Sequence, residues 1–285
     1  MNVQHILAAA DESEAGRQAV RSAIDLAARA HARITVVHAL PVGAMAMSTA
    51  TTGGYDFAGA ESESPAIQNL RQWIGSDLRA QSEPPPVELG IVSGIPGLEI
   101  CRLGERREAD LLVVGRKPRS QLARVLLGDT ADLVARQSRI PCLFVPADSG
   151  FLRRMLVAVD GSAQGMTVLA QAGSFAQAMG IALQVLTVVP DQVNQPSGGI
   201  SARERLLDRQ VRAILSHQGM AAPIPNVEVR RGAIVPQILA ALAASRPDLL
   251  AIGYHRGGLP GVIEAGSTAR HLAHTVSCAV LTIPL

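Results

Sequence analysis

Six residues with types suited to chemistry, Gly253, His255, Arg256, Gly266, Ser267 and Thr268, fall in one stretch, GYHRGGLPGVIEAGST (253–268). Glycine tolerates positive φ and lets a ligand approach the backbone closely. Gly266-Ser267-Thr268 opens a segment, ARHLAHTV, with helical patterning. The free N–H groups and dipole of a helix start favour an anion. Ser and Thr add hydroxyl donors. The chemistry expected here is the holding of phosphates by backbone amides, two hydroxyls and Arg256, since the only lysine, Lys117, lies elsewhere. The same residues equally suit a plain turn and helix cap. GxxxxGK[ST], GxGxxG and GxSxG are absent throughout, so a Walker loop, a dinucleotide fingerprint and a nucleophile elbow are not expected.

The stretch has a counterpart, because the chain repeats itself. HILAAADES (5–13) resembles MLVAVDGS (155–162), and RITVVHALP (33–41) resembles LQVLTVVP (183–190). ADLLVVG (109–115) matches PDLLAIG (247–253), LLGDTADLVARQ (126–137) matches EAGSTARHLAHT (264–275), and CLFVP (142–146) matches VLTIP (280–284). Asp11 pairs with Asp160 at an offset of 149 residues, whereas from Gly94 and Gly232 onward the offset is 138. The first half is therefore 11 residues longer, with the excess between its second and third strands. Two domains are expected, 1–147 and 152–285, divided in the polar step ADSGFLR (147–153).

Each half must position its chemistry on alternating strands and helices. Continuous apolar runs predict strands near 5–10, 33–39, 87–92, 110–115 and 142–146, and again near 154–159, 183–189, 227–231, 248–253 and 280–284. Amphipathic runs predict helices near 163–179, 201–218, 234–245 and 267–276. The fold class is α/β: a doubly wound, five-stranded parallel sheet in each half, with helices on both faces. PVGAMAMSTATTGGYDFAGAESES (41–64) has no period and reads as a long loop. In such sheets ligands bind beyond the carboxyl ends of the strands. Asp160, Val188 and Gly253 end three strands of the second half and are expected to converge on one crevice. An aspartate there can accept from a ribose hydroxyl or an exocyclic amine, and a valine offers apolar contact to a base.

Composition limits the alternatives. Aromatics are 2% of residues, too few to stack bases along a single strand of nucleic acid. A net charge of +2 is too small for an electrostatic footprint on DNA or a membrane. Cys101, Cys142 and Cys278 are few and widely spaced, which suits reduced thiols in a cytoplasm. The N-terminus shows no signal-peptide pattern, and no apolar run has the length of a membrane span. His271, His274 and Cys278 lack a fourth ligand and read as a wet helix face and a small thiol, not a metal site.

VAVDGS (157–162), Gly94-x-Pro96, ADLLVVG (109–115), the glycine stretch and the final short strand ending in proline resemble the universal stress protein family in its tandem two-domain form. The resemblance covers nearly the whole chain. It implies two Rossmann-like domains of the adenine nucleotide alpha hydrolase-like kind, paired as an intramolecular pseudo-dimer with or without a further homodimer. It also implies a cytoplasmic stress-response role with no defined catalytic reaction; for weak ATP hydrolysis His255 is the only candidate base by position. The family's nucleotide motif is G-x2-G-x9-G-[ST], with the first-strand Asp and second-strand Val at the adenine and the last Gly-Ser at the phosphates. The first half departs from it: Pro118 stands at the second glycine, and Asp129 follows Gly128 where a serine is expected. The second half keeps Gly253, Gly266 and Ser267, but Arg256 falls at the second glycine and HRGGLPG looks like the family's loop shifted by one residue. The expected ligand is ATP or a related adenine nucleotide, with or without Mg2+, in the second domain only. Its contacts would be Asp160, Val188, Gly253, His255, Arg256, Gly266, Ser267 and Thr268, with no catalytic or metal-binding residue. The rival expectation is a protein–protein scaffold that binds no nucleotide.

Overall fold

A computed structural model describes residues 1–40, 56–58, 65–116, 129–189, 202–217, 226–254 and 267–285. The chain divides into two compact units. The N-terminal unit comprises Val3–Ser149 with Ala273–Ala279, and the C-terminal unit Met1–Asn2, Gly150–Leu272 and Val280–Leu285.

The N-terminal unit contains β1 (His5–Ala10), α1 (Glu14–Ala30), β2 (Arg33–Leu40), β3 (Asp56–Ala58), α2 (Pro65–Arg79), β4 (Val87–Ser93), α3 (Pro96–Arg106), β5 (Leu111–Arg116), α4 (Asp129–Gln137) and β6 (Cys142–Pro146). Its strands run in the order β3-β4-β2-β1-β5-β6. All neighbours pair in parallel except β3, which is antiparallel to β4. The expected five parallel strands are present, but the reading of 41–64 as a structureless loop is corrected at Asp56–Ala58. Those three residues add an antiparallel sixth strand, with Phe57 opposite Gly90. An isolated three-residue strand has no periodicity to detect, and only pairing with the β4 edge defines it. The rest of 41–64 lies outside the described residues.

The C-terminal unit contains β7 (Arg154–Val159), α5 (Ala163–Ala178), β8 (Ala182–Val189), α6 (Ala202–His217), β9 (Asn226–Arg231), α7 (Ile234–Ser245), β10 (Leu249–Tyr254), most of α8 (Ser267–Thr275) and β11 (Ala279–Pro284). Its strand order is β11-β10-β7-β8-β9. Strand β1 is buried at every position, and β7 and β10 are buried through most of their length. This is what parallel strands covered on both faces require. Among the described residues no helix is long and apolar enough to cross a membrane.

Matching polar clamps repeat in the two units. Asp110 Oδ2 accepts from Gln4 N (2.8 Å) and His5 N (3.0 Å), tying the start of β1 to that of β5. Asp248 Oδ2 accepts from Arg153 N (3.1 Å) and Arg154 N (2.9 Å) at the corresponding place. Gly94 N donates to Leu40 O and Gly232 N to Val189 O, both at 3.0 Å. Both glycines have positive φ, 153° and 125°, which explains glycine at the two positions where the sequence offset becomes constant.

His5 has no equivalent in the C-terminal unit, where Arg154 stands. Its ring is buried, with Nδ1 2.9 Å from Arg107 O and Nε2 2.8 Å from Thr35 Oγ1. A carbonyl only accepts, so Nδ1 carries the proton and neutral Nε2 accepts from the Thr35 hydroxyl. Burial lowers the pKa of His5 below its ordinary 6.5, against the opposing hydrogen bond to Arg107. The unfolded chain therefore takes up this proton first. The stabilising contribution is complete above about pH 6.5 and declines as pH falls below it. His5→Phe should unfold more easily at pH 7.5, by about 1–3 kcal/mol, because Arg107 O and Thr35 Oγ1 each lose their shorter hydrogen bond and keep only the longer ones to Arg33 (3.3 Å) and Glu88 (3.4 Å). The gap in thermal midpoint between wild type and variant should narrow by pH 5, which calorimetric scans across pH will read.

Candidate functional site

Strand ends and helix starts meet at the carboxyl edge of each sheet, and their local chemistry is the same in both units. Asp160 follows β7, and its Oδ1 accepts from Ser162 N (3.0 Å) and Ser162 Oγ (2.7 Å). Ser162 Oγ in turn accepts from Gly165 N (2.9 Å), capping α5. Asp11, Ser13 and Gly16 repeat the arrangement at α1: Ser13 N and Oγ donate to Asp11 Oδ1, and Gly16 N donates to Ser13 Oγ at 3.1 Å. A Cβ on Gly165 would lie 2.4 Å from Asp160 Oδ1, and one on Gly16 2.0 Å from Asp11 Oδ1. The sequence signal is D-x-S-x-x-G, present as DESEAG (11–16) and DGSAQG (160–165). The sequence analysis found the aspartates but missed the serines and glycines that orient them.

The units differ where the first and fourth parallel strands open. In the N-terminal unit a Cβ on Gly115 would lie 2.5 Å from the Ala15 carbonyl carbon and 2.6 Å from Gly16 N. The first turn of α1 thus rests its backbone on β5. In the C-terminal unit a Cβ on the matching Gly253 would first meet side chains, Val168 Cγ2 at 2.8 Å and Leu285 Cδ1 at 2.9 Å. A cleft of about 190 Å3 lies beside it.

Four of the sequence-predicted residues, Asp160, Val188, Gly253 and Thr268, line this cleft. Val188 is buried near the end of β8, Asp160 is exposed, and Thr268 is half-buried in the first turn of α8. Ser267 is the first residue of α8. His255, Arg256 and Gly266 lie outside the described residues, as do Lys117, Pro118 and Gly128 of the first half. The cleft wall also includes Val168, Ile238, Ile252 and Leu285, with the more exposed Ile234 at its side. Sequence reasoning missed these, since apolar residues on helices and strands read as ordinary core.

Asp129 opens α4 in the N-terminal unit, where Ser267 opens α8 in the other. The end of β5 is also committed there. Arg116 is buried and donates from Nη1 to Ala273 O and Val276 O, both at 2.7 Å, and from Nη2 to Cys278 O at 2.9 Å. These carbonyls belong to the segment Ala273–Ala279, which is part of the same unit. The predicted strand 110–115 ends one residue short of Arg116, so its side chain had been read as part of a loop.

Among the described residues no group of three or more His, Cys, Asp or Glu could hold a metal ion. His274 Nε2 instead lies 3.6 Å from Asp132 Oδ1. Cys142 is fully buried and its thiol is pushed up to about 12 by burial, so it is not a nucleophile at neutral pH.

Tandem parallel α/β units with a cleft at the carboxyl edge of the strands define a doubly wound class of fold, in which ligands bind at that edge. A model of the universal stress protein family matches residues 2–146 and 152–284, and the chain belongs to that family. A universal stress protein of Methanocaldococcus jannaschii is 26% identical over 143 residues, covering 47% of this chain and 77% of that protein. One from Mycobacterium tuberculosis is 26% identical over 192 residues, 63% of this chain; the match spans 66% of the relative's length. The crystal structure of a universal stress protein from Archaeoglobus fulgidus covers 100% of this chain and is itself covered to 99%, with TM-score 0.69 at 17% identity. A functionally unknown protein from Pseudomonas aeruginosa covers 99%, is covered to 92%, and has the same TM-score and identity. Likeness at this level concerns the fold.

Gly165→Ala should force the Asp160 carboxylate out of its turn and cost about 1–3 kcal/mol. Ser162→Ala should cost about 1 kcal/mol by removing the cap. Chemical denaturation of both variants checks the order of the two effects.

Proposed function

We propose that this is a stress-response protein whose C-terminal unit binds ATP or a related adenine nucleotide, with or without Mg2+, and catalyses no defined reaction. The observation that carries this reading is the contrast between the two crevices. Backbone packs on Gly115 in the N-terminal unit, whereas side chains lie nearest Gly253 and leave a cleft. About 190 Å3 suits one ring system, so the base would occupy the cleft and the phosphates would extend past it. Apolar contact would come from Val188, Ile238 and Ile252, and Asp160 Oδ2 would accept from the ribose or an exocyclic amine. The phosphates would lie at the start of α8, on the amides and hydroxyls of Ser267 and Thr268, with Gly253, His255, Arg256 and Gly266 completing the loop. In the N-terminal unit, Asp129 at the corresponding helix start would repel them. A cytoplasmic location accords with three thiols and no cystine among the described residues.

A scaffold without nucleotide is the second reading. It is favoured by the exposed side chains of Phe151 and Leu206, at 63% and 55% exposure, which offer apolar contact to a partner.

Isothermal titration with Mg-ATP separates the two. Wild type should show saturable binding, and Ser267→Asp should weaken it at least tenfold, about 1.4 kcal/mol, by setting a carboxylate against phosphate. No heat and no thermal shift with wild type would leave the scaffold reading. Binding unaffected by Ser267→Asp would place the nucleotide elsewhere.

A further inference from the structure

The N-terminal unit holds a cavity that the proposed function does not use. It has a volume of about 210 Å3 and lies between the ends of β1 and β2 and the face of α2 that carries Asn69, Leu70 and Trp73. It is distinct from the crevice closed over Gly115, since its walls come from the ends of β1 and β2, the start of α1 and α2, and include no residue of β5. The volume is below the roughly 300–1,000 Å3 of sites for drug-sized ligands, so it admits one ring system.

Leu40 and Leu70 supply apolar wall, and Trp73 an aromatic face that is half-buried. The Arg17 guanidinium already sits over the Trp73 ring, 5.5 Å from its centroid, so this face accepts a planar cation. Two carboxylates border the same space. Asp11 engages Ser13 through Oδ1, and its Oδ2 has no hydrogen-bond partner among the described residues. Glu12 is exposed and has no side-chain partner among the described residues. His38 adds a polar ring atom: its Nδ1 lies 2.8 Å from Ala10 O and so carries a proton, which leaves Nε2 for a ligand. Against these stands one cation, Arg17. Acceptors and negative charge predominate, over an apolar and aromatic wall.

We propose that this cavity binds a small arylalkylamine or aryl amidine: a single flat ring with a cationic, hydrogen-donating head. The ring would lie against Leu40, Leu70 and the edge of Trp73. The head would donate to Glu12 and to the free oxygen of Asp11, a charge-assisted pairing stronger than a neutral one. The two carboxylates disfavour phosphate, so the site discriminates against the nucleotide proposed for the other unit.

Trp73 is the only tryptophan of the chain and therefore reports on the site alone. The full-length protein is excited at 295 nm and titrated with benzamidine, and in parallel with benzoate, its anionic counterpart of similar shape. Benzamidine should change the emission saturably, and benzoate should bind at least tenfold more weakly. Glu12→Arg should weaken benzamidine at least tenfold, and calorimetry on Trp73→Phe should show residual binding that no longer registers in fluorescence. Excess Mg-ATP should leave the benzamidine curve unchanged. The proposal is overturned if wild type gives no saturable change, if benzoate matches benzamidine, if Glu12→Arg has no effect, or if Mg-ATP competes. A wild type that binds benzamidine but no ATP would reject the nucleotide reading and keep this one.

Discussion

A parallel sheet covered on both faces has no dry place for a polar side chain except at the ends of its strands. Strand β1 is buried along its whole length, and so is β6. Every backbone amide within such strands is spent on the ladder. Chemistry is therefore confined to the carboxyl edge, where the chain leaves each strand and the next helix begins with unsatisfied N–H groups. The turn Asp-x-Ser-x-x-Gly serves this edge twice. It caps a helix and holds a carboxylate at the mouth of a crevice with the same few atoms.

From one turn, two outcomes follow. At Gly115 the backbone of α1 comes down onto β5, and Arg116 turns its guanidinium onto four backbone carbonyls. A buried guanidinium is costly unless it is fully paired, and these bonds meet most of that demand. Nε of Arg116 has no partner among the described residues. At Gly253 the nearest neighbours are side chains, which can move, and a cleft is open beside them. Duplication of the fold therefore leaves the crevice between the first and fourth parallel strands closed over Gly115 in one unit and open beside Gly253 in the other.

Much of this was legible in the sequence because it is periodic or repeated. The strands predicted in both halves appear within two residues of their places, since uninterrupted apolar runs have few alternatives. The two offsets, 149 and then 138, reappear as matching hydrogen bonds accepted by Asp110 and Asp248 and donated by Gly94 and Gly232. Asp160, Val188, Gly253 and Thr268 do share one cleft. The short strand Asp56–Ala58 was not legible, because its three residues are a strand only by pairing with β4. Nor were Ser162 and Gly165, whose role depends on the Asp160 carboxylate two and five residues earlier bending back to them. Ile238 and Leu285 were hidden for another reason: an apolar residue lining a cleft has the same sequence signature as one filling a core.

The amino-acid sequence by itself determined the duplication, the strand and helix order, and the residue types delivered to each strand end. These follow from local periodicity and from identities that recur at fixed spacing. Only the tertiary structure decided which of the two crevices is open. That outcome depends on whether a helix start meets a strand through backbone or through side chains. It is set by contacts between segments as far apart in sequence as Ala15 and Gly115, and no local pattern encodes it. The tertiary structure likewise set Arg17 over Trp73 and placed both beside Asp11 and Glu12, a grouping drawn from α1, α2 and the end of β1.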